Sequence, residues 1–252
     1  MANSITFNSV NLGDYDLIIT GYDFPVSQIA EYTQLRDISY SWGNWLPPKE
    51  IALGASVTGT TRANLNTKLD SIRLALNERT DEILLLAIQT DRYWMARFRG
   101  FTGAFVTATT WIGQILFTCY DPFAYSIDPE EDTGALAIDT APSTTVEVTT
   151  EGTARIEPIY TLTATGGVVT AATVKLENTD TLEEIIWVGT VANTQSLVID
   201  TVRWIIENDG VASMATVTGQ FPRLLANQVN DIKVTGFGTT GHLTVTYRNR
   251  FL

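Results

Sequence analysis

Apolar residues along most of this chain recur at every second position, in runs rich in Thr, Val and Ile punctuated by Gly, Asn and Asp. A period of two sends successive side chains to opposite faces of an extended backbone, so the pattern predicts half-buried strands and a mainly β fold. One segment departs from it. Between Thr61 and Glu78, the residues Leu65, Leu69, Ile72 and Leu76 follow at helical spacing, which predicts a helix with one apolar face and Thr60 or Thr61 as its cap.

The order of the segments suggests two domains. Ile83 to Ile88 is a continuous apolar run, too short for a typical helix, and reads as a strand buried on both faces. Tyr93 to Gly100 alternates, and Gln114 to Tyr120 reads as an apolar strand that ends at Asp121-Pro122. Residues Ser126 to Pro142 mix acidic residues with Pro, Gly and Thr without periodicity and read as a connection, which puts a boundary near residue 130. Domains are therefore expected over 1–130 and 131–252. In the second, strands are expected at Val146 to Thr149, Ile156 to Thr163, Val174 to Glu177, Ile185 to Val188, Leu197 to Ile199, Val202 to Ile206, Ile232 to Val234 and Leu243 to Tyr247. That many short strands with turns between them indicate a β-sandwich.

Composition bears on partners. Only 17% of the 252 residues are charged against 44% hydrophobic, so part of the surface is expected to be covered by another protein. The net charge of -12 argues against a nucleic-acid-binding face, because such affinity comes from Lys and Arg releasing counterions. No apolar run approaches the ~20 residues that cross a bilayer, and Met1-Ala2-Asn3-Ser4 lacks the regions of a signal peptide, so a soluble protein made in the cytoplasm and free of membrane contact is expected.

Candidate chemistry is sparse. Glu130-Glu131 and Glu183-Glu184 resemble acid/base pairs only in composition, since adjacent strand residues point to opposite faces, and they read as solvated surface. His242 is the single histidine and reads as a turn-end residue, which leaves no His-based triad or multi-His metal site within one chain. Thr235 to Gly241 is Gly-rich but lacks the Lys-Ser/Thr of a phosphate loop, and reads as a hairpin loop. Cys119, between Phe117 and Tyr120, reads as a buried inert thiol. No catalytic residue, metal or cofactor is expected. Tyr160, Trp187 and Trp204 are either core or a sugar-stacking platform on a sandwich face. Trp42 and Trp45, followed by Leu46, Pro47 and Pro48, either fold back on their own sheet or anchor an interface between subunits.

Taken in order, these features resemble one family. The helix from Thr61, then Ile83 to Ile88, Arg92 to Gly100 and Phe117-Thr118-Cys119-Tyr120-Asp121-Pro122-Phe123 are similar to the first domain of siphophage distal tail proteins. Glu151 to Pro158, Leu197-Val198-Ile199-Asp200, Val202-Arg203-Trp204, Asn208-Asp209-Gly210, Phe221-Pro222-Arg223-Leu224-Leu225, Val229 to Ile232 and Tyr247 to Leu252 follow the order of the second. The chain departs in having Gln228-Val229 where a Gly precedes the Asn, and in the aromatic Trp42-Gly43-Asn44-Trp45. The resemblance implies a tail-tube-like N-terminal domain that forms a ring, commonly hexameric, and a C-terminal sandwich like a galectin or carbohydrate-binding module. It further implies a hub between the tail tube protein and the tail-tip, tail-associated or receptor-binding proteins, with DNA passing through a channel unbound. Recognition of host-wall polysaccharide by the second domain is the alternative.

Overall fold

The computed structural model describes residues 5–23, 48–77, 80–127, 131–140 and 142–252. The chain is mainly β with a single α-helix among the described residues, and it divides into two compact units, residues 1–127 with Leu252 and residues 128–251.

The first unit is built from β1 (Ile5–Phe7), β2 (Val10–Asn11), β3 (Leu17–Asp23), β4 (Lys49–Thr58), α1 (Arg62–Leu76), β5 (Glu82–Leu86), β6 (Gln89–Thr107), β7 (Thr110–Cys119) and β8 (Ala124–Ser126). Along the sheet the order is β2-β1-β5-β6-β7-β4-β3, with β8 also on β6, and the pairings are antiparallel. Strand β6 serves two neighbours in turn, pairing with β5 up to Glu82↔Ala96 and with β7 from Arg97↔Thr118. The register shifts between Phe98 and Gly100, which leaves Arg99 unopposed where the strand passes from one partner to the other, a bulge of the kind that bends a strand.

Alternation decides which side of this sheet is core. Ile51, Leu53, Ala55 and Val57 of β4 are fully buried and stand opposite Phe117, Ile115, Gly113 and Trp111 of β7. Helix α1 closes the unit with Leu65, Leu69, Ile72 and Leu76, as their spacing predicts. Its cap is Thr61, whose hydroxyl accepts from the Asn64 N–H at 3.1 Å, while Asn64 Oδ1 accepts from the Thr60 N–H at 3.1 Å. The first bond satisfies an orphan donor of the helix as a capping box does, while the return bond reaches Thr60, one residue before the cap. The run Ile83 to Ile88 is not buried on both faces. The strand ends at Leu86, only Leu84 and Leu86 are buried, Ile83 is exposed, and Ala87-Ile88 form the turn into β6.

The second unit contains β9 (Glu131–Asp132), β10 (Leu136–Ile138), β11 (Ser143–Thr149), β12 (Ile159–Ala164), β13 (Val169–Asn178), β14 (Glu183–Val191), β15 (Ser196–Asp200), β16 (Ile205–Asn208), β17 (Val211–Ala212), β18 (Val217–Gly219), β19 (Val229–Thr235) and β20 (Gly241–Tyr247). They form two antiparallel sheets, β10-β20-β12-β15-β16-β17 with β9 also on β20, and β11-β19-β13-β14-β18. The inward residues of both make one core that includes Tyr160, Leu162, Leu176, Trp187, Ile232 and Val245.

Three expectations need correction here. Part of the expected connection is sheet, since Leu136–Ile138 pairs with Gly241 to Leu243 and Ile138 is buried. The Gly-rich loop is a crossover from β19 in one sheet to β20 in the other, with Phe237 buried beneath it, and not a hairpin. His242 follows Gly241 at the start of β20, as its place in the sequence suggests, but it is paired within the strand, opposite Thr163 and Ala137, and is not a turn-end residue.

Candidate functional site

Charge is distributed unevenly on the first unit. From Gly100 to Tyr120 there is no Asp, Glu, Lys or Arg, and this run is the outer part of the β6–β7 hairpin. Every residue from Thr102 to Ala108 is exposed, including Phe105 at 43% and Val106 at 63%, and Ile112 on the opposite strand is 46% exposed. Among the described residues no strand pairs with the other edge of β6 from Arg97 onward. Such an edge presents unmatched N–H and C=O groups, and from Gly100 outward the strand carries no charged side chain of its own to blunt it. The hairpin is nonetheless stiff. Trp111 is buried and lies against Gly103 and Gly113, where a Cβ on either glycine would collide with the indole. On the helix side the Arg62 guanidinium covers the Phe105 ring at 3.4 Å, and Phe101 packs edge-on against Trp111 at 5.7 Å.

The candidate anchor in this unit falls largely outside the described residues. Trp42, Trp45, Leu46 and Pro47 lie there, and of the set Pro48 alone is described, exposed immediately before β4. Cys119 is fully buried, and burial pushes its thiol up to about 12 against the opposing pull of Lys49, so it is an inert core group.

In the second unit the three aromatic candidates separate. Tyr160 and Trp187 are core residues, 0% and 1% exposed, so they cannot stack a ligand. Burial raises the Tyr160 hydroxyl, which donates to the Pro222 carbonyl at 3.2 Å, and Trp187 Nε1 donates to Ser213 Oγ at 3.0 Å. Trp204 is 63% exposed and packs against Phe221 with ring centroids 5.7 Å apart. The expected strand over Val202 to Ile206 begins only at Ile205, because the Asp200 carboxylate accepts from the Val202 and Arg203 N–H groups at 2.9 Å each and turns the chain.

Glu183 is the residue most misread as solvated surface. Its side chain is 9% exposed and accepts from the Arg223 N–H at 2.9 Å and from Nε at 3.1 Å, with Arg155 at 3.6 Å. Burial alone would raise this carboxyl, and the side-chain and backbone hydrogen bonds from Arg223 outweigh it, so it titrates below its ordinary value. Beside it Asn178 Nδ2 donates to the Arg223 carbonyl at 2.7 Å, and fully buried Asn230 accepts from the Leu225 N–H at 2.7 Å. These contacts fix the segment from Phe221 to Leu225. Glu184 points the other way and pairs with Lys175. Among the described residues no group of three His, Cys, Asp or Glu is placed to hold a metal, and no helix is long and apolar enough to cross a membrane.

No protein-family model matches the sequence, and no curated protein matches it. Solved structures do. The SPP1 Dit protein (gp 19.1), described as a paradigm of the hub adsorption apparatus in phages infecting Gram-positive hosts, is similar over 100% of both chains at a TM-score of 0.77 and 17% identity. Baseplate structures of phage p2 in the activated conformation, with Sr and with Ca, give TM-scores of 0.42 and 0.41 at 8% identity, over 98% and 99% of this chain and 98% of each of theirs. The fold that the sequence resemblance implies, that of a siphophage distal tail protein, is the fold this chain has.

Proposed function

We propose that the chain is a structural virion protein of a phage tail, a distal tail hub that closes into a homohexameric ring. In this reading the ring joins the tail tube protein to tail-tip, tail-associated or receptor-binding proteins, and leaves a channel through which DNA passes without being bound. The observation that carries it is the likeness to SPP1 Dit over the whole of both chains. The first unit supports it with a stiff, exposed hairpin free of charge from Gly100 to Tyr120, a surface suited to burial against another protein. Residues 1–130 are assigned to ring formation, with Trp42, Trp45, Leu46, Pro47 and Pro48 as a further subunit contact, and residues 131–252 to partners at the tip. The role needs no catalysis and no cofactor. Light-scattering mass of the purified full chain tests it, alone and with the tail tube protein added. A closed ring is expected, and a monomer under both conditions overturns the reading.

A second reading, recognition of host-wall polysaccharide by the second unit, is compatible with the first. With Tyr160 and Trp187 in the core it rests on Trp204, the exposed member of the three.

A further inference from the structure

Two loops of the second unit are pinned by buried polar groups and bring Trp204 and Phe221 together. In the first, Asp200, 2% exposed, turns the chain through the Val202 and Arg203 N–H groups, and Thr201 Oγ1 donates to the Pro158 carbonyl at 2.7 Å. In the second, the Gln220 N–H donates to the Glu184 carbonyl at 2.7 Å, and Glu183 and Tyr160 hold Arg223 and Pro222. Trp204 sits at φ 58°, the left-handed region that glycine and asparagine favour and bulky residues avoid. A large side chain held there, and left 63% in water, disfavours the fold on both counts. Among the described residues of the second unit none covers the free part of its ring.

We propose that Trp204, braced by Phe221, is a stacking platform for a neutral pyranose unit of a polysaccharide. The proposal deepens the second reading above and rests on it. Four observations support the proposal. The free surface of one indole, on the order of 150 Å², suits one sugar ring and falls well short of the roughly 800 Å² each partner commits to a stable protein interface. Residues 131–252 carry 7 Lys and Arg against 14 Asp and Glu, which disfavours anionic polymers. Arg203, the cation beside the ring in sequence, is already held by Asp200 at 2.5 Å and lies 3.9 Å from Glu207, so it is engaged by carboxylates and poorly placed to clamp a phosphate. Finally, both loops are fixed before any ligand arrives, which reduces the ordering cost that weakens single-ring contacts.

The test is retardation of the full chain in native gels containing dextran, amylopectin or galactomannan, with a polyol-phosphate polymer as the anionic probe. Binding to at least one neutral polymer is expected for the parent. Trp204→Asn suits the backbone and removes the ring. It should raise the thermal midpoint while weakening that binding by about tenfold or more, and Phe221→Leu should weaken it about threefold. Retardation by none of the neutral polymers, by the anionic polymer alone, or equally for parent and Trp204→Asn overturns the proposal. Ring mass separates it from the hub reading: Trp204→Asn should retain the parent's mass, whereas a sugar-binding parent that stays monomeric would refute the hub and leave the platform standing.

Discussion

Replacing Glu183 by glutamine removes one charge from an almost dry site while nearly preserving shape, so its effect isolates the ion pair. The carboxylate accepts from the Arg223 backbone N–H at 2.9 Å and from the guanidinium, and its side chain is 9% exposed. Hydrogen bonds to a charged group contribute about 1.5–3 kcal/mol each, and glutamine retains one acceptor oxygen while presenting an amide where the second was. Breaking a fully buried pair costs about 3–5 kcal/mol. Here Arg223 is 39% and Arg155 54% exposed, so water compensates them in part, and the expected loss falls to about 2–3 kcal/mol. At roughly 4 °C per kcal/mol for a unit of this size, the second unit should melt about 10 °C lower.

Acid provides the sharper check. The folded carboxyl of Glu183 is held below its ordinary value, so its contribution is complete above the unfolded carboxyl value of about 4.3 and disappears as pH falls through the folded one. The gap between parent and Glu183→Gln should therefore be full at neutral pH and close progressively on acidification below about pH 4. Differential scanning calorimetry of the full chain measures both quantities. A variant melting within about 2 °C of the parent at neutral pH, or a gap unchanged in acid, would refute the assignment of Glu183 as the electrostatic pin of the Arg223 loop.

Placing a charge in the bare hairpin should impair assembly and spare the fold: Val106→Lys, at a position 63% exposed, is expected to lower the ring fraction by light scattering with an unchanged melting curve. Trp42→Ala with Trp45→Ala should do the same, and rings as stable as the parent's would make those residues local core instead. Gly113→Ala pushes a methyl into the Trp111 ring and should destabilise the first unit by about 1–3 kcal/mol in urea titrations, with the second unit unaffected. Duplex DNA added to the assembled ring at low salt should show no salt-sensitive binding, because each copy carries a net charge of -12; tight binding would reveal a concentrated basic surface.

Where strand and helix periods were unbroken, the sequence was legible. Four leucine and isoleucine positions behind a Thr cap gave α1, and alternation gave most strands of the second unit to within a few residues. The buried polar cluster carried the same signal, though it was hidden by residue type. Glu183 shares strand parity with Ile185 and Trp187, Asn178 with Val174 and Leu176, and Asn230 with Ile232 and Val234, and in each strand the inward parity runs on into the polar residue. A charged or amide side chain on the core face at a strand end demands a partner, which points to a loop that must fold over it. Which loop was not readable, because Arg223 lies in a segment with no period of its own. The strand expected over Val202 to Ile206 failed for the complementary reason. Val202, Trp204 and Ile206 alternate as a strand should, yet the Asp200 side chain offers the following N–H groups a closer acceptor than a neighbouring strand, and local turn chemistry wins over the pattern. The aromatic pair, Trp204 exposed and Phe221 partly buried, thus owes its position to two buried carboxylates: Glu183 stands on the inward parity of its strand, whereas Asp200, on the outward parity of β15, is drawn in by the N–H groups from which it accepts.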